Sequence, residues 1–143
     1  MKNGIKILAV TMVGTLAIST LIVNLTRGDK KMDTRVFELR TYHAAPGKMK
    51  ALNSRFRDHT CELFKKHGMT IVGFWNPSEA ADADKTLIYL LAFPSREAAD
   101  RSWKAFAADP EWKKVKKASE KEGRLVEKID RVFLNPTDYS PMK

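Results

Sequence analysis

The hydrophobic positions divide the chain into an apolar leader and a domain in which strand and helix patterns alternate. Ile7–Leu25 is nineteen residues without a charge, just long enough for a helix that spans a membrane. It follows Lys2 and Lys6, as expected for a signal anchor or a signal peptide. We therefore predict three regions: a hydrophobic leader over residues 1–27, a charged linker over 28–34 and a folded domain over 35–143.

An uncleaved anchor is favoured for the leader, because its apolar run is longer than the roughly 7–15 residues of a cleaved signal peptide. The protein would then be membrane-associated through its N-terminal segment. Two alternatives stay open: cleavage would export the domain, and translation from Met32 would leave it cytoplasmic. Lysine and arginine flank both ends of the leader, so the membrane orientation is undecided.

The domain begins with a strand pattern, because Arg35–Tyr42 alternates with the two-residue period of a strand. One face of this strand is apolar and is expected to meet the helices; it holds Phe37, Leu39 and Thr41. The opposite face, here called the polar set, is expected to point into a dimeric barrel; it holds Glu38, Arg40 and Tyr42.

Helical spacing follows the turn at Pro46-Gly47, with an inner stripe of Met49, Leu52, Phe56, His59 and Leu63. Gly68 is expected to end this helix. The later patterns predict strands over Met69–Trp75, Thr86–Phe93 and Ile129–Leu134, one helix capped by Ser95 and a second capped by Asp109 with Pro110 in its first turn.

This order of elements predicts an α+β fold: a ferredoxin-like βαββαβ domain with both helical segments on one face of the sheet. The other face would be uncovered, although Thr86–Phe93 is apolar on both sides. An open apolar sheet face is an association site. We therefore expect a homodimer that pairs sheet to sheet as a dimeric α+β barrel.

The charge, the cysteine count and the missing motifs limit the kinds of partner and cofactor that we expect for this protein. The net charge is +9, of which residues 1–31 contribute +4 and the domain +5; this is too little for a nucleic-acid footprint, and no nucleic acid partner is expected. Cys61 is the single cysteine, which excludes an intramolecular disulfide. Metal-ligand spacings, phosphate loops and nucleophile elbows are missing from the sequence, so neither a metal nor a cofactor is expected.

Six residues are candidates for a ligand site. Arg40 would hold an anion, Tyr42 would donate a hydrogen bond and Glu38 would act as a base; the plainer interpretation is a Glu38–Arg40 ion pair, within one subunit or across the dimer. The other candidates have equally plain alternatives as core residues; they are His59 as a general base, with Trp75 and Tyr89 as walls for an aromatic or lipid-like ligand.

The sequence resembles the NIPSNAP family from Val36 to Lys143. The matching blocks are Phe37–Tyr42 with Pro46–Lys48, Phe64–Met69 running into Val72–Trp75, Ser95-Arg96, Asp109–Trp112 and Pro136–Pro141. The resemblance implies a dimeric α+β barrel. The family has no agreed general reaction, while relatives in the wider superfamily include cofactor-free monooxygenases, isomerases and haem-handling enzymes.

Two functions remain. The first is a membrane-tethered dimeric module that binds a small apolar or aromatic ligand or a protein partner. The second is a cofactor-free enzyme, of monooxygenase or isomerase type, for a small aromatic or lactone-like substrate. The enzyme requires Arg40, Tyr42 and His59 to converge within about 3 Å of one reacting atom, whereas a module would show them paired or scattered. Haem ligation by His59 or His43 is a third, weaker hypothesis.

Overall fold

A computed structural model gives the structure of the protein and describes residues 35–78, 81 and 83–143. The predicted leader and linker lie outside the described residues. The elements are strand β1 (Val36–Ala44), helix α1 (Met49–Arg55), a π-helical turn (Phe56–Thr60), helix α2 (Cys61–Lys66), strands β2 (Thr70–Trp75) and β3 (Thr86–Phe93), helices α3 (Arg96–Ala108) and α4 (Pro110–Ser119), and strand β4 (Val126–Leu134). Among these described helices, none has the length and apolar character to cross a bilayer.

The four strands form one antiparallel sheet in the order β2-β3-β1-β4. β1 lies in the centre, where Leu39 pairs with Leu90 of β3 and with Val132 of β4. The helices pack on one face of the sheet and share a single buried core with it. The predicted ferredoxin-like α+β fold is confirmed.

The predicted helix ends are also confirmed. Gly68 follows α2 with a φ of 73°, the left-handed conformation that favours glycine. The Ser95 hydroxyl accepts a hydrogen bond from the Ala98 amide, and an Asp109 carboxylate oxygen accepts one from the Glu111 amide. These side chains satisfy helix N–H groups that the first turn leaves unpaired.

The predicted orientation of β1 is wrong. The polar set faces the helices: Tyr42 packs edge-on against Phe56, with ring centroids 5.8 Å apart, and Glu38 and Arg40 both contact Trp103 of α3. Glu38 and Arg40 fit under the helical layer because they pair with each other there, which offsets the cost of burying their charges.

The opposite, open face carries Phe37, Leu39 and Thr41. Part of it is covered by the chain itself, because the tail after β4 folds back over Phe37 and Leu90. Arg35 donates a hydrogen bond from Nε to the Lys143 carbonyl at 2.8 Å, which holds the tail there. The rest of the open face lies outside this cover, and Trp75 and Val132 are 51% and 48% exposed.

The inner stripe of the first helical segment also differs from the prediction at one position. His59 is exposed, and Thr60 is buried in its place. The π-helical turn Phe56–Thr60 holds one residue more than a regular turn, so it rotates the inward position from residue 59 to residue 60. Thr60 donates its hydroxyl to the Arg55 carbonyl at 3.1 Å, across this turn.

Candidate functional site

Glu38, Arg40 and Trp103 form a closed cluster between the sheet and α3. Glu38 is fully buried; it accepts a hydrogen bond from Arg40 Nε at 2.8 Å on one carboxylate oxygen and one from Trp103 Nε1 on the other. The Arg40 guanidinium lies 3.5 Å from the centroid of a Trp103 ring, a cation–π contact. The ion pair is formed within one chain, which is one of the two arrangements that the plainer interpretation left open.

The charge of Arg40 is stabilised by its surroundings. Burial disfavours the charge, but Tyr89, Tyr42 and Glu38 together outweigh it and raise the Arg40 pKa above its ordinary value. Arg40 stays a cation with Nε committed to Glu38, and each carboxylate oxygen of Glu38 accepts a hydrogen bond within the cluster. The cluster is a structural element of the core.

Tyr42 and Tyr89 form an aromatic pair beside this cluster. Their ring centroids are 5.2 Å apart at an interplanar angle of 67°. Tyr89 is fully buried, and no hydrogen bond of ordinary geometry reaches its hydroxyl from the described residues. Burial first, and the neighbouring Tyr42 second, raise the Tyr89 pKa well above its ordinary value. Tyr89 is therefore a neutral hydroxyl in an apolar setting.

A cavity of about 310 Å3 lies between the helical layer and the β1–β4 half of the sheet. Its apolar wall is formed by Tyr42, Phe56, Phe64, Phe106, Trp112, Val126 and Ile129. Charged side chains also line it; they are Arg55, Lys116, Glu120, Arg124 and Glu127. The lining thus combines an aromatic part with a charged part, and small-molecule sites use apolar walls for contact and placed polar groups for orientation.

Arg55 is the buried charge of this cavity. Its side chain is 5% exposed, and Nη1 donates to Glu120 Oε1 at 3.0 Å and to Ser119 Oγ at 3.3 Å. The guanidinium carbon lies 5.3 Å from the centroid of a Trp112 ring. Arg55 Nε is also buried, and the described residues offer it no hydrogen-bond partner.

The structure brings together four of the six predicted site residues and separates two. Glu38, Arg40, Tyr42 and Tyr89 are neighbours on the helix-facing side of the sheet, but Tyr42 is the one that lines the cavity. His59 lies on the outer surface of the helical layer, in a groove between the first helical segment and α4. Trp75 lies on the open face, folded over Gly73.

The remaining histidines and Cys61 are accounted for by their neighbours. His67 Nε2 lies 2.6 Å from Asp109 Oδ2, and His43 Nε2 lies 2.8 Å from Asp130 Oδ2. Burial raises the pKa of the Cys61 thiol, which disfavours the nucleophilic thiolate. No group of three or more His, Cys, Asp or Glu in the described part of the chain could hold a metal ion.

Sequence reasoning missed most of the cavity wall. Of the residues that line it, Tyr42 is a predicted site residue and Phe56 belongs to the predicted inner stripe, whereas Arg55 and Thr60 carry no signal that sets them apart. A π-helical turn, which recurs at functional sites in proteins, is what brings Arg55, Phe56 and Thr60 to the same wall. The sequence carried no mark of this turn.

The fold and cavity define a ferredoxin-like domain with a closed ion-pair cluster and an aromatic cavity. The family model described as NIPSNAP matches residues 37–141. The chain belongs to the NIPSNAP family.

Solved structures agree with this assignment. A NIPSNAP family protein of unknown function from Agrobacterium tumefaciens is 23% identical, with a TM-score of 0.67 over 78% of this chain and 96% of that one. An uncharacterised NIPSNAP domain protein from Burkholderia xenovorans is 20% identical, with a TM-score of 0.63 over 74% and 98%.

The fold is also found in a monooxygenase. The product of the ActVA-Orf6 gene of Streptomyces coelicolor, in complex with nanaomycin D, is 13% identical, with a TM-score of 0.51 over 78% of this chain and 95% of that one. No curated protein matches the chain.

Proposed function

We propose that this domain is a binding module that holds a small, flat aromatic molecule in the cavity between the helices and the sheet. The observation that carries the proposal is the cavity of about 310 Å3 with an aromatic wall. Rings stack and pack edge-on at such walls, and pockets of about 300–1,000 Å3 are typical of small-molecule sites. The S. coelicolor monooxygenase, which has this fold, carries a bound ligand, nanaomycin D, and this supports ligand binding by the present chain.

Two substitutions on β4 test the proposal. Val126 lines the cavity, whereas Val132 lies on the open face of the same strand. We expect the full-length protein to bind 2-naphthol in calorimetric titrations. Because the apolar leader requires detergent, the heat of titrating 2-naphthol into detergent alone is subtracted. Val126→Phe should weaken binding about tenfold or more by filling the cavity, and Val132→Phe should leave it unchanged. Equal binding by both variants would contradict the proposed site.

A cofactor-free enzyme is the alternative, and the positions of its candidate residues count against it. Arg40 is bonded to Glu38, and His59 is exposed on the outer helix surface, so Arg40, Tyr42 and His59 do not converge. Paired and scattered side chains are what a module predicts. We expect the protein to consume no oxygen with 2-naphthol in an oxygen electrode; sustained uptake would favour the enzyme.

We further propose that the domain forms a homodimer through the open sheet face. Trp75 and Val132 leave large apolar surfaces exposed there, opposite the helical layer. Such a patch is a protein association site. We expect a dimer in sedimentation equilibrium with density-matched detergent, and a monomer for Val132→Glu. Lys117→Glu, on an exposed position of α4, is the charge-changing control and should stay dimeric.

Membrane attachment stays a prediction from the uncharged run Ile7–Leu25. The measurement is alkaline carbonate extraction of membranes from cells that express the full chain. An anchored protein stays in the pellet, whereas a cleaved or internally initiated one is found in the supernatant and is shorter by mass spectrometry.

A further inference from the structure

Arg55 has a hydrogen-bonding edge that the described protein leaves unused. Both of its side-chain hydrogen bonds within the described residues leave from Nη1, to Ser119 and Glu120. Nε is buried without a partner there. A buried donor without a partner is costly, and Arg55 is a lining residue of the cavity, so the unpaired Nε points to a group that binds the guanidinium there.

The unused edge matches a carboxylate in shape, and because Nε is closed off in the structure, a bound carboxylate requires a small turn of the Arg55 side chain toward the cavity. Nη1 lies on the side of the guanidinium next to Cδ, so the free side joins Nε to Nη2. Arginine commonly binds the two oxygens of a carboxylate through two parallel N–H groups. Because Arg55 is 5% exposed, an anion bound on this edge would be shielded from water, which strengthens the pairing.

The surroundings of Arg55 favour an aromatic acid over a small inorganic anion. Arg55 lines both the aromatic cavity and the outer groove beside His59. A group bound on the cavity side continues into an apolar space next to Phe56 and Trp112. Lys116 and Arg124 add positive charge along that cavity, partly balanced by Glu120 and Glu127. A planar ring with one acidic substituent matches both features.

We propose that Arg55 binds the carboxylate of an aromatic acid whose ring lies in the cavity beside Phe56 and Trp112. The inference rests on the proposed ligand-binding function and narrows its ligand from aromatic molecules to aromatic carboxylates. The role of Arg55 is recognition: the guanidinium selects for the charged group, and the aromatic wall contributes most of the contact area.

A matched pair of probes tests this inference in the full-length protein. 2-Naphthoate carries the carboxylate, and 2-naphthamide has nearly the same shape without the charge. We expect wild-type protein to bind 2-naphthoate about tenfold or more tightly than 2-naphthamide in equilibrium dialysis. Arg55→Met should reduce this ratio to about one while keeping the affinity for the amide within about threefold.

Arg55→Lys keeps the test valid if Arg55→Met does not fold. It keeps the positive charge but lacks the two parallel N–H groups that bind a carboxylate. We expect it to reduce the naphthoate preference about fivefold. Arg101→Lys, on an exposed position of α3, is the control and should leave the ratio unchanged. A wild-type ratio near one, or an unchanged ratio in Arg55→Lys, overturns the inference and leaves the binding function standing. Failure of both naphthoate and naphthamide to bind overturns this inference together with the proposed function.

Discussion

Glu38→Gln is the sharpest test of the cluster formed by Glu38, Arg40 and Trp103. The substitution keeps the shape of the side chain and removes its charge. Arg40 would then be a buried cation without a counter-ion, and a carboxamide cannot accept hydrogen bonds on both of its terminal atoms. Since Glu38 accepts from both Arg40 and Trp103, one donor would lose its acceptor.

The expected cost follows from these contacts. Removing one partner of a buried ion pair costs about 3–5 kcal/mol, and the ring of Trp103 continues to stabilise the cation by about 1 kcal/mol. We therefore expect Glu38→Gln to lower the free energy of unfolding by about 3 kcal/mol. For a domain of this size that is a fall in Tm of about 12 °C.

The double variant Glu38→Gln with Arg40→Met removes the unpaired charge as well, so we expect it to be more stable than Glu38→Gln alone by about 1–2 kcal/mol. Urea unfolding followed by circular dichroism, at one fixed protein concentration because association would shift stability, gives each value. A loss below about 1 kcal/mol for Glu38→Gln, or a double variant less stable than the single one, would refute this account of the cluster.

Three further predictions concern the helix ends. Ser95→Ala removes the N-cap of α3 and should lower the free energy of unfolding by about 1 kcal/mol in urea titrations; Ser95→Asp, which can still cap, should not. Gly68→Ala places a side chain at a φ of 73° and should cost about 1–2 kcal/mol, whereas an unchanged midpoint would contradict the left-handed turn. Lys66 first, and His67 second, lower the pKa of Asp109, so its stabilising effect is complete above the unfolded pKa of about 4 and is lost as the pH falls below it. The difference in unfolding free energy between wild type and Asp109→Asn should therefore narrow below pH 4, and an equal difference at pH 3 and pH 7 would be inconsistent with this linkage.

Local signals predicted the elements of the fold well. Two-residue alternation, helical spacing and capping residues such as Ser95 and Asp109 act over a few neighbouring positions, so they can be recognised from the sequence. The ferredoxin-like fold class followed from the order of these elements. Helical spacing and capping depend on contacts that are close along the chain, whereas the pairing of β1 with β4 joins the two ends of the domain.

The orientation of β1 depended on distant contacts and was therefore predicted wrongly. Glu38 is buried because Trp103, sixty-five residues away, donates to it. The alternation of polar and apolar residues identifies the two faces of the strand. It does not show which face a side chain from a distant part of the sequence will pair with. The prediction that His59 lies on the inner stripe was wrong for another reason. A single extra residue in a helical turn rotates every later position, and the spacing of hydrophobic residues hardly changes when this happens.

The π-helical turn makes this helical segment unusually permissive to a change in length. Losing one codon in the middle of an ordinary helix swings all following side chains by about 100°, which turns a buried face outward. A loss within Phe56–Thr60 would instead convert the wide turn into a regular one, leaving the flanking faces of α1 and α2 in place. A chain that lacks one residue here would keep the core and the position of Arg55 in α1, and would lose the part of the cavity wall that Thr60 supplies.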